Sequence, residues 1–213
     1  VFAIPPLAEA SGFLAREMMK RSLLITGVPG TGKSTAAKML AQKLGAALID
    51  INKLVGLLHL YSEIDEADGA RVVRLKKLEA ELSRALKSEK RSVIAEGHLG
   101  CEVKLPVSKV IVLRSEPKVL SKRLSGRGYS DEKVASNAHS EALDYCTVMS
   151  EKKYGRRKVW EIDTTQKTAR QVAAEAERII TGKTRKKQRV SFPEALMREA
   201  ITGEKIRKLK GAL

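Results

Sequence analysis

The stretch Gly27-Val28-Pro29-Gly30-Thr31-Gly32-Lys33-Ser34-Thr35 constrains this chain more than any other. It reads G-x-x-x-x-G-K-S, the P-loop pattern. Ahead of it, Ser22-Leu23-Leu24-Ile25-Thr26 is short, apolar and partly β-branched, which predicts a buried strand. Behind it, Ala36–Leu44 is rich in helix formers and is closed by Gly45 as a cap. Strand, glycine loop and helix together are the context in which backbone N–H groups wrap a polyphosphate. Gly27, Gly30 and Gly32 allow the tight turn and the close approach. The helix N-terminus adds partial positive charge. Lys33 is expected on the β- and γ-phosphates of ATP and the Ser34 hydroxyl on Mg²⁺. Pro29, Thr31 and Thr35 complete the nucleotide-binding set.

A chain of 213 residues holds one α/β domain with a sizeable core, plus tails. Residues 1–19 read as a flexible leader, 20–181 as the domain and 182–213 as a basic tail. No apolar run reaches the ~18 residues of a membrane span, and the first residues lack the basic start of a signal peptide. The expectation is a cytoplasmic protein with no membrane partner. Cys101 and Cys146 stand far apart and define no disulfide framework. With His59, His98 and His139 they also lack zinc-ligand spacing. The net charge is +16. Gly182–Leu213 carries ten basic residues against three acidic ones, a concentration that points to an interaction tail and to nucleic acid as partner class.

Along the chain, Ala46–Ile51 predicts a second strand, with Asn52 as N-cap of a helix over Lys53–Leu60. Tyr61–Gly69 is polar and acidic and reads as a loop. Leu75, Leu78, Leu82 and Leu86 fall at helical spacing and mark a long amphipathic helix. Val93-Ile94-Ala95 then predicts a strand with Glu96 at its carboxyl end, where parallel sheets bind ligands. A carboxylate there orders Mg²⁺ or water. Gly97 lets the chain pass close to the phosphates, and His98 reaches the γ-phosphate or a water.

Ser108–Arg114 reads as a strand with a polar end on the ligand side. A helix follows, with Ser115 as cap and Pro117 in its first turn. Arg123 and Arg127 lie four apart, and Gly126 and Gly128 flank the second. Planar guanidinium groups suit the spread charge of a transferring phosphoryl group, so the segment reads as a lid. Ser130–Glu151 reads as one helix, Lys158–Asp163 as the last strand and Thr168–Ile180 as the last helix. Trp160 reads as packing rather than as a base-stacking platform.

These pieces follow the order of the nucleoside monophosphate kinases. Within them the chain resembles the nuclear adenylate kinase, or coilin-interacting nuclear ATPase, family, which has archaeal members. The carrying residues are the P-loop, Arg71-Val72-Val73, Glu96-Gly97-His98-Leu99-Gly100-Cys101-Glu102, Val110–Arg114 and Arg123-Leu124-Ser125-Gly126-Arg127-Gly128-Tyr129. The resemblance runs from about Lys20 to Ile180. It implies a doubly wound five-stranded parallel sheet, ATP-Mg²⁺ at the P-loop, and AMP in a region from about 52 to 88. Asn52, Arg71, Arg74 and Gly97 are the AMP candidates, and the lid spans about 123–150. It further implies adenylate kinase activity with ATP hydrolysis, and a role in small ribosomal subunit maturation through a ribosomal protein and rRNA. Lys33, Glu96, His98, Arg123 and Arg127 are then the catalytic set, and Ser34 with Glu96 the metal set. The family's eukaryotic members carry aspartate where this chain has Glu96, and an aromatic residue where it has Gly97. The resemblance does not extend to the basic tail beyond Ile180.

Two other readings stand beside this one. A different small-molecule kinase is the first, although shikimate kinases want Asp-x-Asp after strand two and this chain has Asp50-Ile51-Asn52. An ATP-gated assembly factor holding RNA or a ribosomal protein is the second. A GTPase is disfavoured because Asn52-Lys53-Leu54-Val55 lacks the aspartate that would read guanine. A transporter ATPase is disfavoured because that family's signature loop is missing.

Overall fold

A computed structural model of the chain describes residues 22–64, 71–184 and 186–193, with the backbone alone at Ile64 and Arg71. The leader 1–19, the acidic segment 65–70 and the tail 194–213 lie outside the described residues.

Five short strands form one parallel sheet. They are β1 (Leu23–Thr26), β2 (Ala47–Asp50), β5 (Val93–Glu96), β6 (Lys109–Arg114) and β7 (Val159–Asp163), in the spatial order β2-β5-β1-β6-β7. β1, β5 and β6 are buried along almost their whole length, as their unbroken apolar runs require of strands covered on both faces. The sequence reading of a doubly wound five-stranded parallel sheet agrees with this order.

Helices cover both faces. On one, α1 (Lys33–Leu44) and α7 (Ala169–Ile180) pack Ala37, Leu40, Val172, Ala176 and Ile179 against Leu23, Ile25 and Ile111. Thr168 caps α7 in a reciprocal box with Gln171. On the other face, α3 (Leu75–Ser88) buries Leu78, Leu82 and Leu86, while Leu75 at its start stays over a third exposed. Each fully buried leucine there contributes roughly 1.5–3 kcal/mol.

Five local expectations are corrected. Asp50, not Asn52, caps α2 (Ile51–Leu57): its carboxylate accepts from the Lys53 N–H at 3.0 Å. The segment after α2 is not all loop. β3 (Tyr61–Ile64) and β4 (Arg71–Val73) pair antiparallel as a hairpin, because Tyr61 and Val73 have the core cluster to pack against. After α4 (Pro117–Ser125), whose N-cap is Glu116 rather than Ser115, the long helix is two. α5 (Asp131–Ala142) and α6 (Tyr145–Tyr154) are separated at Asp144, whose φ of 54° breaks the helix. The polar end of β6 does not face the ligand side, as shown below for Arg114.

Cys101 and Cys146 meet in space as free, buried thiols, with their Sγ atoms 3.6 Å apart. Trp160 is half-buried against the second core cluster, with Lys109 and Lys187 over its ring. No described helix is long and apolar enough to cross a membrane.

Candidate nucleotide and phosphoryl-transfer site

β1 delivers the loop at its carboxyl end, beside the point where chain order reverses in the sheet. Gly27 must be glycine: its φ is 136°, and a Cβ there would stand 2.4 Å from the Leu113 carbonyl oxygen of the neighbouring strand. The loop then closes on the carbonyl of Val28. That oxygen accepts from the Thr31 hydroxyl at 3.0 Å and from Lys33 Nζ at 2.9 Å. Burial lowers the Lys33 pKa, opposed by the charges of its acidic neighbours. The ammonium is thus partly desolvated, and its one hydrogen-bond acceptor among the described residues is a carbonyl that a phosphate oxygen can replace.

Glu96 ends β5 and is 4% exposed. Its carboxyl group and the Ser34 hydroxyl line one cavity, so the two residues expected to hold Mg²⁺ stand together. Burial raises its pKa, and the nearby Asp50 charge adds to the rise, while Ser34, Lys33 and Lys53 oppose it. Hydroxyl and carboxylate oxygens are hard donors that fit a magnesium ion.

His98 opens a 3₁₀ turn (His98–Cys101) directly after this strand. Burial, helped by the Lys33 charge, lowers its pKa to about 4, so the imidazole is neutral at physiological pH. The Thr26 hydroxyl ties the turn to β1 by donating to the Gly97 carbonyl at 2.9 Å. A Cβ on Gly97 would lie 2.8 Å from Ile51 Cβ. Close packing on α2 therefore explains glycine at this position.

One cavity of about 200 Å³ gathers Gly32, Lys33, Ser34, Asn52, Glu96, His98 and Arg127, with Pro29, Gly30, Thr35 and Tyr129 also on its wall. Residues from four separate stretches of sequence thus share a single space. Among the sequence candidates, Gly27, Thr31 and Gly97 do not line this cavity, and Arg74 and Arg123 stand elsewhere. Arg123 does not line this cavity: its Nη2 donates to the Thr164 and Thr165 carbonyls at 2.8 and 3.0 Å, and its Nη1 to Ser115 Oγ at 3.3 Å. Arg74 is exposed at the start of α3, with its backbone N–H on the Leu60 carbonyl. For Arg71 only the strand backbone is described.

A second cavity, of about 130 Å³, lies across the loop. Arg123 lines it with Arg127, Gly30, Thr35, Thr164 and Lys167. Thr164, Thr165 and Lys167 had no place in the sequence reading. They follow the carboxyl end of β7, so the strand-end rule that found Glu96 reaches them too. Among the described residues no cluster of His, Cys, Asp or Glu could hold a metal ion by itself.

Comparison with known proteins agrees with this picture. Residues 23–144 match the family model described as AAA domain. A "Putative adenylate kinase" of Methanosarcina acetivorans is 37% identical over 161 residues, spanning 73% of this chain and 84% of its own. One of the same name from Methanocaldococcus jannaschii is 36% identical over 172 residues, spanning 81% and 93%. Among solved structures, a shikimate kinase from Acinetobacter baumannii in complex with shikimate superposes with a TM-score of 0.56 at 18% identity, over 78% of this chain and 96% of that one. A gluconokinase from Sinorhizobium meliloti superposes with a TM-score of 0.51 at 16% identity, over 78% and 93%. These two similarities concern the fold.

Proposed function

We propose, from the premise that this chain belongs to the P-loop kinase family of those archaeal relatives, that it transfers a phosphoryl group from ATP to AMP, with water as a competing acceptor. The observation that carries the reading is the single cavity that joins the P-loop, Glu96, His98, Asn52 and Arg127. Phosphoryl transfer needs little covalent help from the protein, so positioning and charge stabilisation do most of the work.

In this reading Lys33 leaves the Val28 carbonyl for the β/γ-phosphates, and the loop N–H groups cradle them. Ser34 and Glu96 hold Mg²⁺, which when bound neutralises charge on those phosphates. Arg127 stabilises the transferring group as the lid segment closes. Arg123 supports the lid base and faces the nucleotide across the second cavity. Asn52, with Arg71 or Arg74, receives the acceptor. Neutral His98 orients a water when hydrolysis competes.

A second role can coexist with this one. The net +7 of Gly182–Leu213 favours an ATP-gated factor that binds rRNA or a ribosomal protein of the small subunit. The discriminating experiment is ADP release from ATP-Mg²⁺, with and without AMP. Strong stimulation by AMP, with two ADP formed per ATP consumed, supports the kinase. ADP with free phosphate, indifferent to AMP, supports the ATPase factor. Full activity in Lys33→Ala ends both readings.

A further inference from the structure

Arg114, at the end of β6, is the largest fully buried side chain among the described residues, at 1% exposure. Its Nε donates to Glu141 Oε1 at 2.6 Å and its Nη1 to Glu161 Oε1 at 2.8 Å. Nη2 donates to the Glu141 carbonyl at 3.0 Å and to Asp144 Oδ1. Three carboxyl groups surround one guanidinium, and a buried ion set is stable only when its hydrogen bonds are completed.

The completion comes from a segment far along the chain. Val190 is buried; its N–H donates to Glu161 Oε2 at 3.2 Å, and its carbonyl accepts from Arg114 Nη1 at 3.3 Å. Arg189 Nε stands 3.8 Å from Glu161 Oε2, and its Nη1 donates to Glu151 at 2.6 Å. The Phe192 ring centres 5.5 Å from Arg114 Cζ. Lys187 Nζ donates to the Arg157 and Val159 carbonyls at 2.9 and 2.8 Å and lies over Trp160 at 5.1 Å. Part of what reads in sequence as a basic interaction tail therefore makes contacts within the molecule.

The same cluster runs on to the nucleotide side. Glu141 Oε1 also accepts from the Ser115 N–H at 3.1 Å, and Ser115 Oγ accepts from Arg123. The Arg114 carbonyl accepts from the N–H and the hydroxyl of Thr164, both at 2.8 Å. Arg123 in turn donates to the Thr164 carbonyl. Side chain and main chain of Arg114 thus both lead to the walls of the second cavity, and Glu141 and Asp144 fix the junction of α5 and α6 in the lid region.

We propose that Arg114 is a positioning residue for the nucleotide site, and that Lys187–Phe192 is a strap whose docking completes its cluster and tightens the binding of ATP. This rests on the reading that the P-loop cavities bind ATP. Coupling of this kind is reciprocal: bound ATP strengthens strap docking by the factor by which the strap strengthens ATP binding.

The test uses the full chain with Arg189→Ala and, separately, Val190→Pro, which deletes the N–H given to Glu161. Lys186→Ala removes an exposed positive charge from the same segment and serves as control. Trp160 is the sole tryptophan, so its fluorescence reports whether Lys187 and the strap are seated. ATP-Mg²⁺ affinity is measured by calorimetry, and circular dichroism identifies folded variants. We expect ATP binding weakened about tenfold in both strap variants and unchanged in the control. ATP should also slow hydrogen exchange at the Val190 N–H in the unaltered protein. A folded variant with altered Trp160 emission but unaltered ATP affinity overturns the proposal. So does Val190 exchange that ATP leaves unchanged. If the unaltered chain binds no ATP, the functional reading itself falls, and that outcome is distinct from equal binding by chain and variants.

Discussion

Asp50 and Glu96 end neighbouring strands at the same level, as direct Cα partners across β2 and β5. Asp50 is committed to the N-cap of α2, so its charge stays in place beside Glu96. With burial, it raises the Glu96 pKa. The carboxyl therefore binds a proton more readily in the folded protein than in the unfolded chain. Between the ordinary value of 4.5 and the raised one, stability without metal falls as pH rises. Glu96→Gln removes that penalty. It should raise the melting temperature of the metal-free protein at neutral pH and lower Mg²⁺-dependent turnover by about 10²-fold. Calorimetry and turnover assays on one preparation check both signs.

His98 has the opposite linkage. Its folded pKa, about 4, lies below the ordinary 6.5, so its contribution to stability is complete above the ordinary value and is lost as pH falls toward the folded one. A melting-temperature profile over that interval should fall more steeply for the unaltered chain than for His98→Gln. ATP hydrolysis without AMP should fall about tenfold in the variant, since a water-orienting side chain acts in the range of general acid–base effects or below it.

Arg123 and Arg127 are four residues apart, yet the fold separates their tasks. Arg127 is exposed and lines both cavities. Arg127→Ala should keep the melting temperature and lower turnover about 10²-fold. Arg123 bonds two carbonyls of the Thr164–Thr165 turn. Arg123→Ala should cost about 1 kcal/mol of stability by removing its hydrogen bonds to these carbonyls. Thermal melts of the two variants separate these outcomes.

Gly97 and Ile51 share one space. Gly97→Ala brings a methyl within 2.8 Å of Ile51 Cβ, and Ile51 is fully buried at the start of α2. The variant should lose about 1–3 kcal/mol by overpacking. Because α2 carries Asn52, it should also raise KM for the acceptor more than KM for ATP. Ile51→Val in the same chain should not restore stability, because valine keeps the Cβ that the new methyl meets.

Much of this molecule was legible in the order of its residues. The P-loop, the buried strands and the leucines of α3 are local patterns, because period and glycine placement answer to the backbone alone. Glu96 and His98 were found by position at a strand end, a rule of sheet topology that needs no coordinates. The hairpin β3–β4 was missed because its polar stretch pairs only where Tyr61 and Val73 find a core. The break at Asp144 was missed because its side chain answers to Arg114, thirty residues away. Arg114 ends its strand just as Glu96 does, and sequence could not distinguish a ligand-facing terminus from a buried one. Long-range charge pairing decided that: three carboxylates and a distant strap took the guanidinium inside, because a buried charge goes where its partners are.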